Sequence, residues 1–367
     1  MGNQILNNSI SAAFLELLRA GLWNSKVDLN KISNLSEANW VSLYLMAHHQ
    51  TVEAIIGNEV QKLPEAYLPP KSILLKWMVR VQQIKDSNER MNISISNLFE
   101  FFKSYGLHPV LQKGQGIASY YNHPELRNLG DIDVYFGNED HYFLANKLIN
   151  EQVDDFTYSS GYSSHYTWEG FIGEHHKRFF NLRNPFIMSY LKTLEYSETQ
   201  KTIDIQLSGS TIQIPSIFLN TIMVNVHVLS HQVGYGIGIR QLCDASRLYY
   251  ANKGQFDSDK LDYIYRKLGV RKWINMFHSV LVDLVGLDED YLPLKLNRRS
   301  TNIWMMEDIL RGGNFSFYDA RYNDQSRPYG RVNRVQRLFY GFKKYLPLAP
   351  TEAIAFPIMH IISKVHR

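Results

Sequence analysis

A chain of 367 residues with 45% hydrophobic and 13% aromatic side chains can bury a sizeable core, in two or three lobes rather than one, which excludes general disorder. Its formal net charge of +4 permits an anionic substrate without requiring nucleic acid. The single cysteine, Cys243, excludes an internal disulfide and a cysteine-based zinc site.

Taken in order, residues 1–104 read as mainly helical. Phe14, Leu15, Leu17, Leu18 and Leu22 form one apolar stripe, and Ser36 is placed to cap a second helical pattern that includes the run from Trp40 to Ala47. Pro69-Pro70 interrupts the pattern, and a long helix is expected over 71–105. Residues 105–215 change character to an α/β core. A short strand at 108–111 runs into the turn Gln112-Lys113-Gly114-Gln115-Gly116, and a helix is expected from Ile117. Strand, glycine turn and helix together can offer free backbone N–H groups to a phosphate, and Lys113 adds a positive charge. The loop 122–129 then leads into Gly130-Asp131-Ile132-Asp133-Val134-Tyr135-Phe136.

Strand alternation sends Asp131 and Asp133 to one side while Ile132 and Val134 enter the core. Two same-face carboxylates repel each other, and their hard oxygens suit Mg²⁺ or Mn²⁺ better than zinc. Taken alone, the pair also fits a solvated strand edge. Adjacent His175 and His176 must face opposite ways on a strand, so they cannot easily share a metal. In 202–207 the alternation is clean, with Thr202, Asp204 and Gln206 on one face and Ile203, Ile205 and Leu207 on the other. Residues 216–320 read as helical again. His227 and His231 share a helix face there, where packing is the expected role without a third ligand. Arg240 and Asp244 are spaced for a local ion pair.

Lys113-Gly114, the 121–127 loop and Gly130-Asp131-Ile132-Asp133 resemble the signature of an uncharacterised bacterial nucleotidyltransferase family within the DNA polymerase β-like superfamily. Trp40, His49, His176, Asp204 and the stretch 238–244 extend the likeness over roughly residues 10–320. Members often occur with genes for capsular polysaccharide or modified-peptide synthesis. The resemblance implies an α+β fold, with a nucleotidyltransferase mixed-sheet core flanked by N-terminal and C-terminal helical lobes. It implies transfer of a nucleoside monophosphate from an NTP to an unknown acceptor. Asp131, Asp133 and a third carboxylate would be the catalytic and metal-binding residues, and Asp204 is the best candidate for the third. Lys113, Gly114, Gly130, His176 and Arg240 would contact the nucleotide or its phosphates. There are two departures. The superfamily commonly has Gly-Gly or Gly-Ser where this chain has Lys113-Gly114. Its third-carboxylate strand often has a histidine two residues after the acid, where this chain has Gln206.

Residues 321–367 form a basic and apolar tail. Arg321, Arg327, Arg331, Arg334, Arg337, Lys343 and Lys344 alternate with Tyr329, Phe339, Tyr340, Phe342 and Tyr345. Such a mixture suits RNA or an anionic membrane surface, but a solvated helix face is the commoner origin. With only +4 on the chain, nucleic acid is the less favoured partner. No run approaches the ~20 apolar residues of a membrane span, though the tail is compatible with peripheral membrane contact. Residues 1–6 lack the pattern of a secretion signal, so a cytoplasmic location is expected. A nucleotide-binding scaffold without activity, or a toxin-like transferase acting on RNA or protein, are the alternative readings.

Overall fold

The computed structural model describes residues 8–159, 163–180, 182–298, 301–322 and 334–365. Helix α1 (Ser9–Trp23) buries Phe14, Leu17 and Leu18, and the Asn8 side chain caps it by accepting the Ser11 N–H at 2.7 Å. Ser36 caps α2 (Glu37–His49) as its position predicts, accepting from the Asn39 N–H. After α3 (Glu53–Val60) and the Pro69-Pro70 break, α4 (Lys71–Ser104) runs past two hydrophobic cores. Ile73, Trp77 and Val81 pack with other helices, whereas Ile95, Phe99 and Phe102, further along the same apolar stripe, pack against the sheet.

The α/β segment begins with β1 (Val110–Gln112) and α5 (Gly114–Ala118), so the helix starts within the glycine turn and not after it. Then come β2 (Ile132–Tyr135), α6 (Glu139–Asn150), β3 (Thr157–Ser159), β4 (Ser163–Trp168) and β5 (Phe171–His176). These strands form a mixed sheet in the order β1-β2-β5-β4-β3, with β2 and β5 parallel and the other pairs antiparallel. Residues from α4 and α6 cover one face, burying Ile132, Val134 and Phe136. Beyond α7 (Met188–Glu198), β6 (Thr202–Leu207) and β7 (Ser210–Pro215) make a separate hairpin. Its turn residues Ser208 and Gly209 have φ of 46° and 87°, the left-handed pair that a tight hairpin needs. The hairpin packs against β1.

Helices α8 (Ile217–Gly234), α9 (Ile239–Ala251), α10 (Ser258–Lys267), α11 (Arg271–Val285) and α12 (Ile303–Gly312) follow. They share one apolar core with α1–α3, and Trp23 Nε1 donates to the Val285 carbonyl at 2.7 Å. The last elements, α13 (Arg334–Tyr345) and α14 (Pro350–Val365), lie on α8. The basic run is therefore not simply a solvated face. Arg337 is only 1% exposed and bonds Asp308 at 2.8 Å, and Arg321 bonds Asp308 and Asp319. Arg327, Tyr329 and Arg331 lie outside the described residues, as does the side chain of Arg334. Among the described residues no helix is long and apolar enough to cross a membrane.

Candidate active site

Parallel pairing of β2 with β5 sets Asp133 directly opposite Glu174 and Tyr135 opposite His176. Alternation then puts Glu174 and His176 on the face that carries Asp131 and Asp133. On the other face His175 is sealed in the core, where its Nδ1 donates to Asn146 Oδ1 and its Nε2 accepts from the Tyr166 hydroxyl, each at 2.7 Å. The two histidines do face opposite ways. Only His176 reaches the acids, donating from Nε2 to Asp133 Oδ1 at 2.7 Å.

Lys113 also meets Asp133 Oδ1, its Nζ lying 2.8 Å away. It does so from a backbone with φ 48° and ψ −144°, a region that favours glycine and costs a side-chain-bearing residue on the order of 1–3 kcal/mol. Gly114 follows with φ +40°, and a Cβ there would sit 3.2 Å from the Asp131 carbonyl oxygen. The turn is thus pressed against the start of the aspartate strand.

Burial by itself would raise the Asp133 carboxyl. The Lys113 ammonium and the His176 hydrogen bond outweigh it and hold the group well below the ordinary aspartate range. Asp131 goes the other way, because burial and the charges of Asp133 and Glu174 prevail over Lys113 and Arg240. Three carboxylates facing one space, with one made reluctant to ionise, is a donor set that suits a divalent cation. Ligand atoms of Asp133, Glu174 and His176 all lie within 4.8 Å of one another.

A cavity of about 380 Å³ is lined by Lys113, Gly114, Gly130, Asp131, Asp133 and Arg240, together with Glu174 and residues of α8 and α9. The structure therefore brings the sequence-selected glycine turn, both aspartates and Arg240 to one place, with His176 bonded to Asp133 at its edge. It leaves Asp204 out. That residue is exposed on the β6–β7 hairpin and lines a different cavity with Lys103 and His108. Glu174 stands where a third carboxylate was expected from Asp204. The signal was in the sequence, since Glu174-His175-His176 has the acid followed two residues later by histidine that Asp204 and Gln206 lack.

The expected Arg240–Asp244 ion pair does not form. Asp244 takes Arg127 in a two-pronged buried bridge, Nε to Oδ1 at 2.7 Å and Nη2 to Oδ2 at 2.8 Å, and accepts the Tyr121 hydroxyl at 2.7 Å. Loop 121–127 and the 238–244 stretch, which both carried the family likeness, are thereby locked together. Arg240 instead donates to the Asn128 and Leu129 carbonyls, and its buried Nε has no partner among the described residues. His227 and His231, expected to be packing residues, line the same cavity with ring centroids 4.2 Å apart. Burial and Lys113 push His231 down to about 4, so it is neutral near pH 7.

A mixed sheet carrying acids on one face beside a glycine turn is an arrangement suited to handling a nucleotide's phosphates. Over residues 36–284 the chain matches the family described as uncharacterised nucleotidyltransferase. The match spans most of the chain, which belongs to this family and is thus a nucleotidyltransferase by descent. No curated protein and no solved structure matches it.

Proposed function

We propose that the protein transfers a nucleoside monophosphate from an NTP to an acceptor hydroxyl, with Asp131, Asp133 and Glu174 as the carboxylates of a divalent-cation site. The observation that carries this reading is the β2–β5 register, which sets Glu174 opposite Asp133 beside Lys113 and His176. Bound Mg²⁺ or Mn²⁺ would neutralise phosphate charge and favour loss of the acceptor proton. His176, bonded to Asp133 Oδ1, fixes the orientation of that carboxylate. The Gly114 turn and Lys113 hold the phosphates, and Arg240 meets them from the α9 side. The acceptor oxygen bonds to the α-phosphorus while the bond to the pyrophosphate oxygen breaks. Much of the rate enhancement comes from positioning and fixed charge.

The direct test is thermal shift with ATP, CTP, GTP and UTP. At least one should raise the melting temperature in Mg²⁺ or Mn²⁺, by ~2.7 kcal/mol of stabilisation at a hundredfold excess over Kd, and none should do so in chelator. Equal stabilisation in chelator would remove the cation from the scheme. Metal-dependent binding without transfer of label to any acceptor would favour an inactive scaffold.

Gly114→Val should weaken triphosphate binding about tenfold or more, and by a larger factor than Lys113→Ala. The valine must adopt a positive φ and displaces the Asp131 carbonyl, whereas the alanine removes one flexible ammonium. Calorimetric titration ranks the two, and the reverse order would place phosphate recognition in the lysine.

A further inference from the structure

A second cavity, of about 270 Å³, adjoins the carboxylate cavity and shares Glu174, His227 and His231 with it. We propose that this second cavity is the acceptor site, and that it takes a small hydroxyl compound carrying a phosphate monoester. The inference rests on the nucleotidyl-transfer reading above.

Attack and departure at phosphorus occur roughly in line, so the acceptor must enter from the side opposite the pyrophosphate. Lys113 and Gly114 line only the first cavity, and His176 lines only the second, with Glu174 common to both. A triphosphate whose pyrophosphate end lies at the glycine turn leaves the β5 side as the way in for the nucleophile. That side is the second cavity.

Its lining identifies the chemistry. Arg178 and Arg183 both face it; neither guanidinium makes a close salt bridge with the described residues, while the Glu195 and Glu352 carboxylates feel their charge from further off. Arg178 is partly buried and makes no side-chain hydrogen bond to them, and Arg183 lies over the Phe356 ring at 5.6 Å from its centroid. Guanidinium forks recognise phosphate and carboxylate oxygens. Two such cations match the charge of roughly −2 on a phosphomonoester better than a single carboxylate. The cavity is also bounded in size. Phe356 and Met359 of α14 line it, and Glu352 of α14 accepts the backbone N–H groups of Arg183 and Asn184 at 2.8–3.2 Å, tying that helix to the cavity wall. A compact sugar or polyol phosphate fits such a space better than a nucleic-acid strand or a folded protein.

In the transfer step the acceptor hydroxyl oxygen bonds to the α-phosphorus, its proton passes to a neighbouring base or to solvent, and pyrophosphate leaves with the bonding pair. The phosphate of the acceptor stays on Arg178 and Arg183 and takes no part in bond making.

The test loads the full-length protein with Mg²⁺ and an α,β-methylene NTP, which occupies the triphosphate site without reacting. Inorganic phosphate, glycerol 3-phosphate and neutral glycerol are then titrated by calorimetry. Both phosphate probes should bind and glycerol should not. Arg178→Gln, which breaks no hydrogen bond to the described residues, should weaken phosphate binding about tenfold or more while leaving affinity for the nucleotide analogue within about twofold. Arg183→Gln should act the same way. The proposal is overturned if neither phosphate probe binds the loaded protein, or if Arg178→Gln binds them as well as the parent does. Labelled nucleotide passing to glycerol, RNA or protein in preference to glycerol 3-phosphate overturns it too. Absence of metal-dependent analogue binding would instead overturn the nucleotidyl-transfer reading. Phosphate titration of the nucleotide-free protein and of Arg178→Gln tells failure of the acceptor site apart from failure of the nucleotide site.

Discussion

Asp133→Asn is expected to lower nucleotidyl transfer on the order of 10³-fold with the fold intact. The substitution keeps the shape of the side chain and an oxygen able to accept from His176 and Lys113, but it removes the charge on which both converge. Glu174→Gln should fall with it, because the two side chains lie opposite each other on paired strands and, in the proposed site, would act on one cation. Groups that work as a unit lose activity non-additively, so the double variant should be little worse than either single one. Asp204→Asn is the decisive control and should keep near-parental activity, since Asp204 lines another cavity. The measurement is transfer of labelled nucleotide, with circular dichroism as a check on folding. A silent Glu174→Gln beside a dead Asp204→Asn would falsify the assignment of the third carboxylate.

Asp244→Ala should be the most destabilising of the single changes near the site, by about 3–5 kcal/mol. It strands the Arg127 guanidinium, 4% exposed, whose charge burial disfavours and Asp244 more than restores. It also strands the Tyr121 hydroxyl. The damage should spread to the cavity, because Arg127 anchors the loop whose Asn128 and Leu129 carbonyls hold Arg240. Replacing both partners, as Arg127→Met with Asp244→Leu, should recover much of the stability, since neither member of the bridge is then left as an unpaired buried charge. Denaturant melts of the two single variants and the double variant close the cycle. A single Asp244→Ala variant as stable as the parent would mean that the bridge is solvated and the loop is held by other contacts.

Features governed by neighbours in the chain were legible in the sequence. The Ser36 cap, the helix after Pro69-Pro70 and the sidedness of 130–136 depend on hydrogen bonds and periodicities a few residues long. The glycine turn was legible for the same reason, although Lys113 bearing the strained backbone was not, since a residue name does not state its φ. Alternation assigned each acid to a face of its own strand but said nothing about which strand lies beside it. Asp204 and Glu174 both satisfied that local rule, and only pairing across the chain, β5 with β2 and β6 with β7, put one beside Asp133 and the other in a separate hairpin.

Charge partners divided in the same way. A helical ion pair four residues apart is worth only a few tenths of a kcal/mol. It yields to any partner that the fold brings within reach in a dry interior, and Asp244 accordingly takes Arg127, 117 residues distant, over Arg240. Arg337 leaves the solvated run for Asp308 on the same terms. Sequence determined which residue types were available and which way each local element faces. The meeting of acids, cations and cavity was decided by long-range packing, because burial strengthens an interaction only once the chain has excluded water from it.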